Sequence, residues 1–187
     1  MKRGRKRAFV AGLAAVALGT AALAQQAPFG NEEDISYANK VWQVMLDARL
    51  AGDGMIRSFP YDGIAPHGMM LETFYTDATI DGHTGTLVVK RNFGPEGVEL
   101  DAVLADPAKY LGSYTVMFRR EAGFDPDNQD WFWAKYLADG SLDKNPKGMQ
   151  LAGRVAKGAN QGCIACHSGA PGEDYLFTTD AIMPMMK

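Results

Sequence analysis

Cys163-Ile164-Ala165-Cys166-His167 places two thiols and an imidazole at the spacing of a c-type haem attachment site. Each cysteine can form a thioether bond to one haem vinyl group, and the histidine can reach the iron as its proximal ligand. Cys163 and Cys166 are the only two cysteines among 187 residues, so neither is left over for a structural disulfide. The same spacing serves thioredoxin-like redox centres and zinc sites. Redox centres of that kind sit near a βαβ pattern, and a structural zinc site needs four ligands. Neither a second cysteine pair nor a convincing βαβ unit is visible. The motif predicts one haem c, covalent through Cys163 and Cys166, with His167 on the iron.

The N-terminus points the same way. Lys2, Arg3, Arg5, Lys6 and Arg7 precede a short apolar stretch, Ala8 to Leu23, and Ala22-Leu23-Ala24 is an A-x-A cleavage site. Residues 1–24 read as a signal peptide cut before Gln25; the glycines and threonine in the stretch fit a retained membrane anchor less well. Attachment of haem c takes place outside the cytoplasmic membrane, so the chain is expected in the periplasm, with no membrane span after cleavage. Cleavage removes five of the 19 cationic residues and none of the 22 acidic ones, leaving a net charge of −8. No Lys/Arg stripe survives to bind nucleic acid, and an anionic membrane surface would repel the protein.

These residues must be positioned by the chain before them. Residues 25–33 read as a polar, flexible N-terminus, and residues 34–187 as a single haem domain. Asp34 is the expected cap of a helix from Ile35 to Leu50, where Ile35, Ala38, Val41, Trp42, Met45 and Ala48 recur at helical spacing. Strand patterns follow over 70–76, 85–91, 113–120 and 130–138, with 121–129 as a long hairpin connection. A short helix broken at Pro107 is expected over 101–110, and another over 148–158 leading into the haem motif. The expected class is α+β, mainly antiparallel β: one sheet with an N-terminal helix and short helices before the C-terminal motif. Small class I cytochromes carry the motif near the N-terminus, and four-helix cytochromes c′ need helical periods where this chain has strand periods.

Five segments in one order carry a family resemblance. They are Pro66-His67-Gly68, Gly85-Thr86-Leu87-Val88-Val89-Lys90, Tyr114-Thr115-Val116-Met117-Phe118, Asp130 to Tyr136, and Cys163 to His167 followed by Asp174-Tyr175-Leu176-Phe177-Thr178. Over roughly residues 35 to 180 the chain resembles the cytochrome P-460 and cytochrome c′-β group of mono-haem proteins. The resemblance implies a mainly antiparallel β fold, a homodimer, a haem lying against the sheet, and a c-type electron-transfer partner. It also implies that Lys90 matches the lysine that hydroxylamine-oxidising members cross-link to the haem macrocycle. Burial would help, since it lowers a lysine pKa and frees the amine for coupling. Two departures weigh against catalysis. Arg91 stands where relatives often have an acid, and residues 158–162 lack the pocket carboxylate that would take protons from hydroxylamine. Glu72, Glu121 or Glu173 would have to supply one from elsewhere.

The sixth iron position separates the functions. Met183, Met185 and Met186 read as terminal methionines, His67 as a turn histidine that can also lie distal, and His83 as a solvent-exposed one. Trp131, Phe132, Trp133 and Tyr136 are candidates for the pocket wall. The expectation is a five-coordinate iron held by His167. The function expected is binding, or binding and oxidation, of hydroxylamine or nitric oxide; capture of nitric oxide without turnover and simple electron transfer are the alternatives.

Overall fold

Asn31 starts the first helix. The computed structural model describes residues 28–171 and 174–177, and α1 covers Glu32–Asp47. The Asn31 side chain accepts from the Asp34 N–H at 2.9 Å, while the Asp34 carboxylate accepts from the Asn31 N–H at 3.4 Å. This reciprocal box satisfies two of the donors that a helix start leaves orphaned. Asp34 is therefore the inner partner of the box, correcting its expected place as the cap. The helix also ends before Leu50, because the Leu50 N–H folds back onto the Met45 carbonyl at 2.7 Å and Arg49 turns left-handed at φ 56°. Asn31→Ala is expected to cost about 1 kcal/mol. The change would be read as a lower urea midpoint at unchanged m-value.

Six strands follow as one antiparallel meander in sequential order. They are β1 (Tyr61–Asp62), β2 (Met70–Ile80), β3 (His83–Phe93), β4 (Leu111–Arg119), β5 (Trp131–Leu137) and β6 (Ala152–Gly153). The fold is α+β and mainly antiparallel β, as expected. β2 and β3 extend past their expected ends because Asp81-Gly82, both at positive φ (52° and 82°), closes a tight hairpin that pairs Ile80 with His83. Between β3 and β4, Pro107 divides α2 (Leu100–Ala105) from α3 (Pro107–Tyr110). The connection from β4 to β5 contains a 3₁₀ turn at Pro126–Asn128.

Strand alternation sends alternate side chains to two different cores. On one face α1 sets Tyr37, Val41 and Met45 against Leu87, Val89, Phe118, Phe132 and Tyr136. On the other, Val88, Met117, Trp131 and Trp133 pack with Phe29, Val155 and Ile164. Full burial of each large apolar side chain contributes about 1.5–3 kcal/mol. The second core includes α4, the short helix Cys163–His167.

The expected helix over 148–158 is absent. Gly148, Gly153, Ala156 and Gly158 hold φ of 81°, 95°, 61° and 74°, so this stretch is β6 and a series of turns. Gly153 is required there, since a Cβ on it would lie 2.4 Å from the Asp34 carboxylate. The flexible boundary at residue 33 is corrected too. Phe29 is buried, and the Gly30 N–H donates to the Ala152 carbonyl at 2.8 Å. The signal segment 1–24 lies outside the described residues. Within the described residues no helix is long and apolar enough to cross a membrane.

Candidate functional site

The strands put a row of polar side chains on the face away from α1. Lys90 on β3 pairs with Thr115 on β4, and Thr115 with Lys135 on β5. This row floors a cavity of about 660 Å³, with Val88, Met117 and Trp133 beside it and α4 opposite. That volume is ordinary for a small-molecule or cofactor site. Phe29 and Phe177 close the apolar wall, and Pro66 and His67 enter it from the turn before β2. Of the four aromatic residues expected around the pocket, only Trp133 lines it; Phe132 and Tyr136 belong to the α1 core, and Trp131 packs behind.

Helical spacing explains α4. Positions 163, 166 and 167 lie at i, i+3 and i+4, so both thiols and the imidazole share one side of a single turn. All three line the cavity. Both cysteines are free, and burial pushes the Cys163 thiol up to about 11. A protonated thiol is a poor redox nucleophile and a poor zinc ligand. Among the described residues no three His, Cys, Asp or Glu side chains converge to hold a bare metal ion.

His167 is nearly buried and held on several sides. Its Nδ1–H donates to the Tyr175 carbonyl at 2.7 Å, so in the neutral ring the lone pair lies on Nε2, the nitrogen able to ligate. Tyr175 adopts φ 67°, a costly conformation for a residue with a Cβ, and its hydroxyl is anchored on Asn128 Oδ1 at 3.2 Å. The His167 ring lies edge-to-face with Trp133 at 5.0 Å, Phe177 at 5.4 Å and His67 at 6.2 Å.

Charge in the cavity has one sign. Burial lowers the Lys90 pKa, and Lys90 has no hydrogen-bond or ion-pair partner among the described residues. Lys135 is paired with Asp143 at 2.9 Å. Burial first, then Lys90, His167 and Lys135, push His67 down to about 4, so its imidazole is neutral. No carboxylate lines the cavity among the described residues. Glu72 is buried on the α1 side against Arg91, and Glu121 pairs with its neighbour Arg120, so neither supplies one; Glu173 lies outside the described residues. The Trp133 Nε1–H, 2 % exposed as a residue, has no acceptor. A flat apolar group with an acidic edge would satisfy all three features: the apolar walls, the unpaired ammonium and the orphaned indole N–H.

Lys90, singled out by the resemblance, and Cys163, Cys166 and His167, singled out by the motif, all line this one cavity. Sequence reasoning missed Phe29, an isolated apolar residue in a polar stretch, and the carbonyl of Tyr175, which no side-chain pattern announces. His83 is half-buried rather than exposed, with Nε2 3.1 Å from the Arg119 carbonyl. The methionines at 183, 185 and 186 fall outside the described residues. Comparison with protein-family models, with curated proteins and with solved structures finds no match.

Proposed function

We propose that this chain is an exported, periplasmic mono-haem c-type protein that binds small nitrogen species such as nitric oxide or hydroxylamine, in the manner of the cytochrome P-460 group it resembles. One observation carries the reading: a single turn of helix directs Cys163, Cys166 and a carbonyl-anchored His167 into an apolar, cationic cavity. The residues fit a haem. Cys163 and Cys166 would hold its vinyl groups and His167 its iron, while Lys90 and the Trp133 N–H suit its propionates or ring edge. Bound there, haem supplies a redox-active iron with an affinity for nitrogen ligands.

The chain's own part is to exclude water and hold protons. Met117, Val88 and Phe177 keep the cavity apolar. With haem bound in this cavity, the desolvated Lys90 amine would be the group available to couple to the macrocycle. That coupling removes one hydrogen from the amine and one from a ring carbon, and a peroxide-class oxidant takes the two electrons. A protease digest of the holoprotein is expected to yield a peptide joining Lys90 to haem. In Lys90→Met, haem should remain only on the 163–167 peptide, with a narrower Soret band at shorter wavelength. A wild-type digest without that peptide rules the cross-link out.

Capture of nitric oxide without turnover is the second reading, and the absence of a carboxylate from the described cavity wall favours it, since hydroxylamine oxidation must pass its protons to a base. Hydroxylamine-dependent reduction of an artificial acceptor by the holoprotein tests the choice. A flat trace with intact nitric oxide binding leaves capture; a positive trace calls for a c-type partner to take the electrons.

A further inference from the structure

The turn before β2 contributes a residue whose role neither the fold nor the haem anchor explains. The Pro66-His67-Gly68 turn is locked down: the His67 N–H donates to the Ile64 carbonyl at 2.9 Å, and the Met69 N–H to the Phe93 carbonyl at 2.8 Å. Gly68 lies so close to β3 that a Cβ there would stand 2.4 Å from the Phe93 backbone. The turn thus carries the His67 ring over the polar row, where Nδ1 meets Thr115 Oγ1 at 3.2 Å. Asn92 Nδ2 also donates to that hydroxyl oxygen, at 3.3 Å, and an oxygen with two lone pairs can accept from both. The contact serves either tautomer: Nδ1–H can donate to Thr115 Oγ1, or the hydroxyl can donate to Nδ1. In the tautomer with Nδ1 protonated, the Nε2 lone pair is the one able to ligate.

Two imidazoles therefore line one cavity, each held at Nδ1, His67 by Thr115 and His167 by the Tyr175 carbonyl. Their ring centres are 6.2 Å apart and their planes cross at 88°. A metal ion bonded to two imidazole nitrogens at about 2 Å each sets ring centres roughly 6 Å apart. Ring planes may cross at any angle in such a pair, because each ring needs the ion only in its own plane. A hydrogen bond from the second ring nitrogen is the usual support of a metal-bound histidine; His167 donates one to the Tyr175 carbonyl, and Thr115 Oγ1 stands ready to accept one from His67.

Resting on the haem reading above, we propose that His67 is a second protein ligand of the haem iron, occupying the position opposite His167 in the resting protein. The five-coordinate form expected from the sequence is then the receptive state, reached when His67 withdraws, and an incoming nitrogen ligand competes with an imidazole. A ligand that must wait for His67 to leave binds with an apparent affinity reduced by the free fraction. With His67 bound nine-tenths of the time, its removal tightens nitric oxide binding about tenfold.

The test is the spin state of the ferric holoprotein, by optical and electron paramagnetic resonance spectra, compared with His67→Ala. Wild type should be low-spin, His67→Ala high-spin, and free imidazole should return the variant to low-spin. Nitric oxide affinity should rise about tenfold in the variant. A high-spin wild-type protein overturns the proposal without any variant, as does a His67→Ala protein with an unchanged spectrum. If His67→Ala fails to accumulate, His67→Met takes its place, and the appearance of histidine–methionine ligation bands supports the assignment while an unaltered spectrum sinks it. A chain that takes up no haem overturns both readings. A low-spin wild type that changes in His67→Ala but never binds nitric oxide upholds His67 and overturns capture.

Discussion

Cys163→Ser with Cys166→Ser, made in the Lys90→Met chain so that no second covalent anchor remains, is expected to leave no haem on the denatured chain, whereas either single cysteine variant should keep one thioether bond. The argument rests on the count of thiols: only two exist, and α4 directs both into the same cavity. No other cysteine can replace either one. In the combined variant the apolar cavity and His167 can still hold haem non-covalently, so the native protein would remain coloured while denaturation releases the pigment. Intact mass and haem staining after denaturing electrophoresis check this directly. Wild type recovered with a Cys163–Cys166 disulfide and no haem would refute the attachment site. The buried, protonated Cys163 thiol argues against that outcome, because exchange to a disulfide proceeds through thiolate. Haem that survives denaturation when the two cysteines are replaced and Lys90 is kept would identify Lys90 as an independent covalent anchor.

Much of the sheet was legible because strands impose a period of two whatever lies on either side. Leu87, Val89 and Arg91 face α1, while Val88 and Lys90 face the cavity, and the residue types fit both destinations. The convergence of Cys163, Cys166 and His167 on one cavity was legible because the three lie within one helical turn. Residues 148–158 misled because Leu151 and Val155 stand four apart like a helical stripe. Their flanking glycines, read as helix boundaries, in fact supply left-handed turns along the whole stretch. The start of α1 misled for a related reason: Asn31 and Asp34 are both good caps, three residues apart, and a capping box uses both. The approach of His67 to His167 was out of reach. One hundred positions separate them, and only the antiparallel register, which seats Thr115 between Lys90 and Lys135, brings the turn to the cavity. Arg91 stands where relatives of the resembled group often have an acid. Its side chain points away from the cavity, and its work lies in the core.

Arg91→Ala is expected to destabilise the protein by about 3–5 kcal/mol, the cost of leaving a buried ion pair with one partner. Both side chains of the Arg91–Glu72 pair are 0 % exposed, with Nη1 to Oε2 at 2.9 Å. The hairpin register sets them directly opposite each other on β2 and β3. The same guanidinium donates to the Ile56 carbonyl at 2.6 Å and to the Leu50 carbonyl at 2.7 Å, and it covers the Phe74 ring at 4.4 Å. Its removal strands the Glu72 carboxylate with the half-exposed Arg57 and the Ser58 N–H as its remaining partners. It also frees the loop that follows α1. Lysine cannot reproduce a planar fork with several acceptors, so Arg91→Lys should recover only part of the loss. Replacing both members, with Arg91→Met and Glu72→Leu, should recover more, since no buried charge is then left unpaired. Urea unfolding measures all three, with the midpoint moving and the m-value held. The native haem spectrum of Arg91→Ala should match wild type, because Arg91 and Lys90 project from opposite faces of β3. An altered spectrum would mean that the two faces are coupled through the strand, whereas an unmoved midpoint would mean that the Glu72–Arg91 pair is dispensable to a fold whose total stability is only about 5–15 kcal/mol.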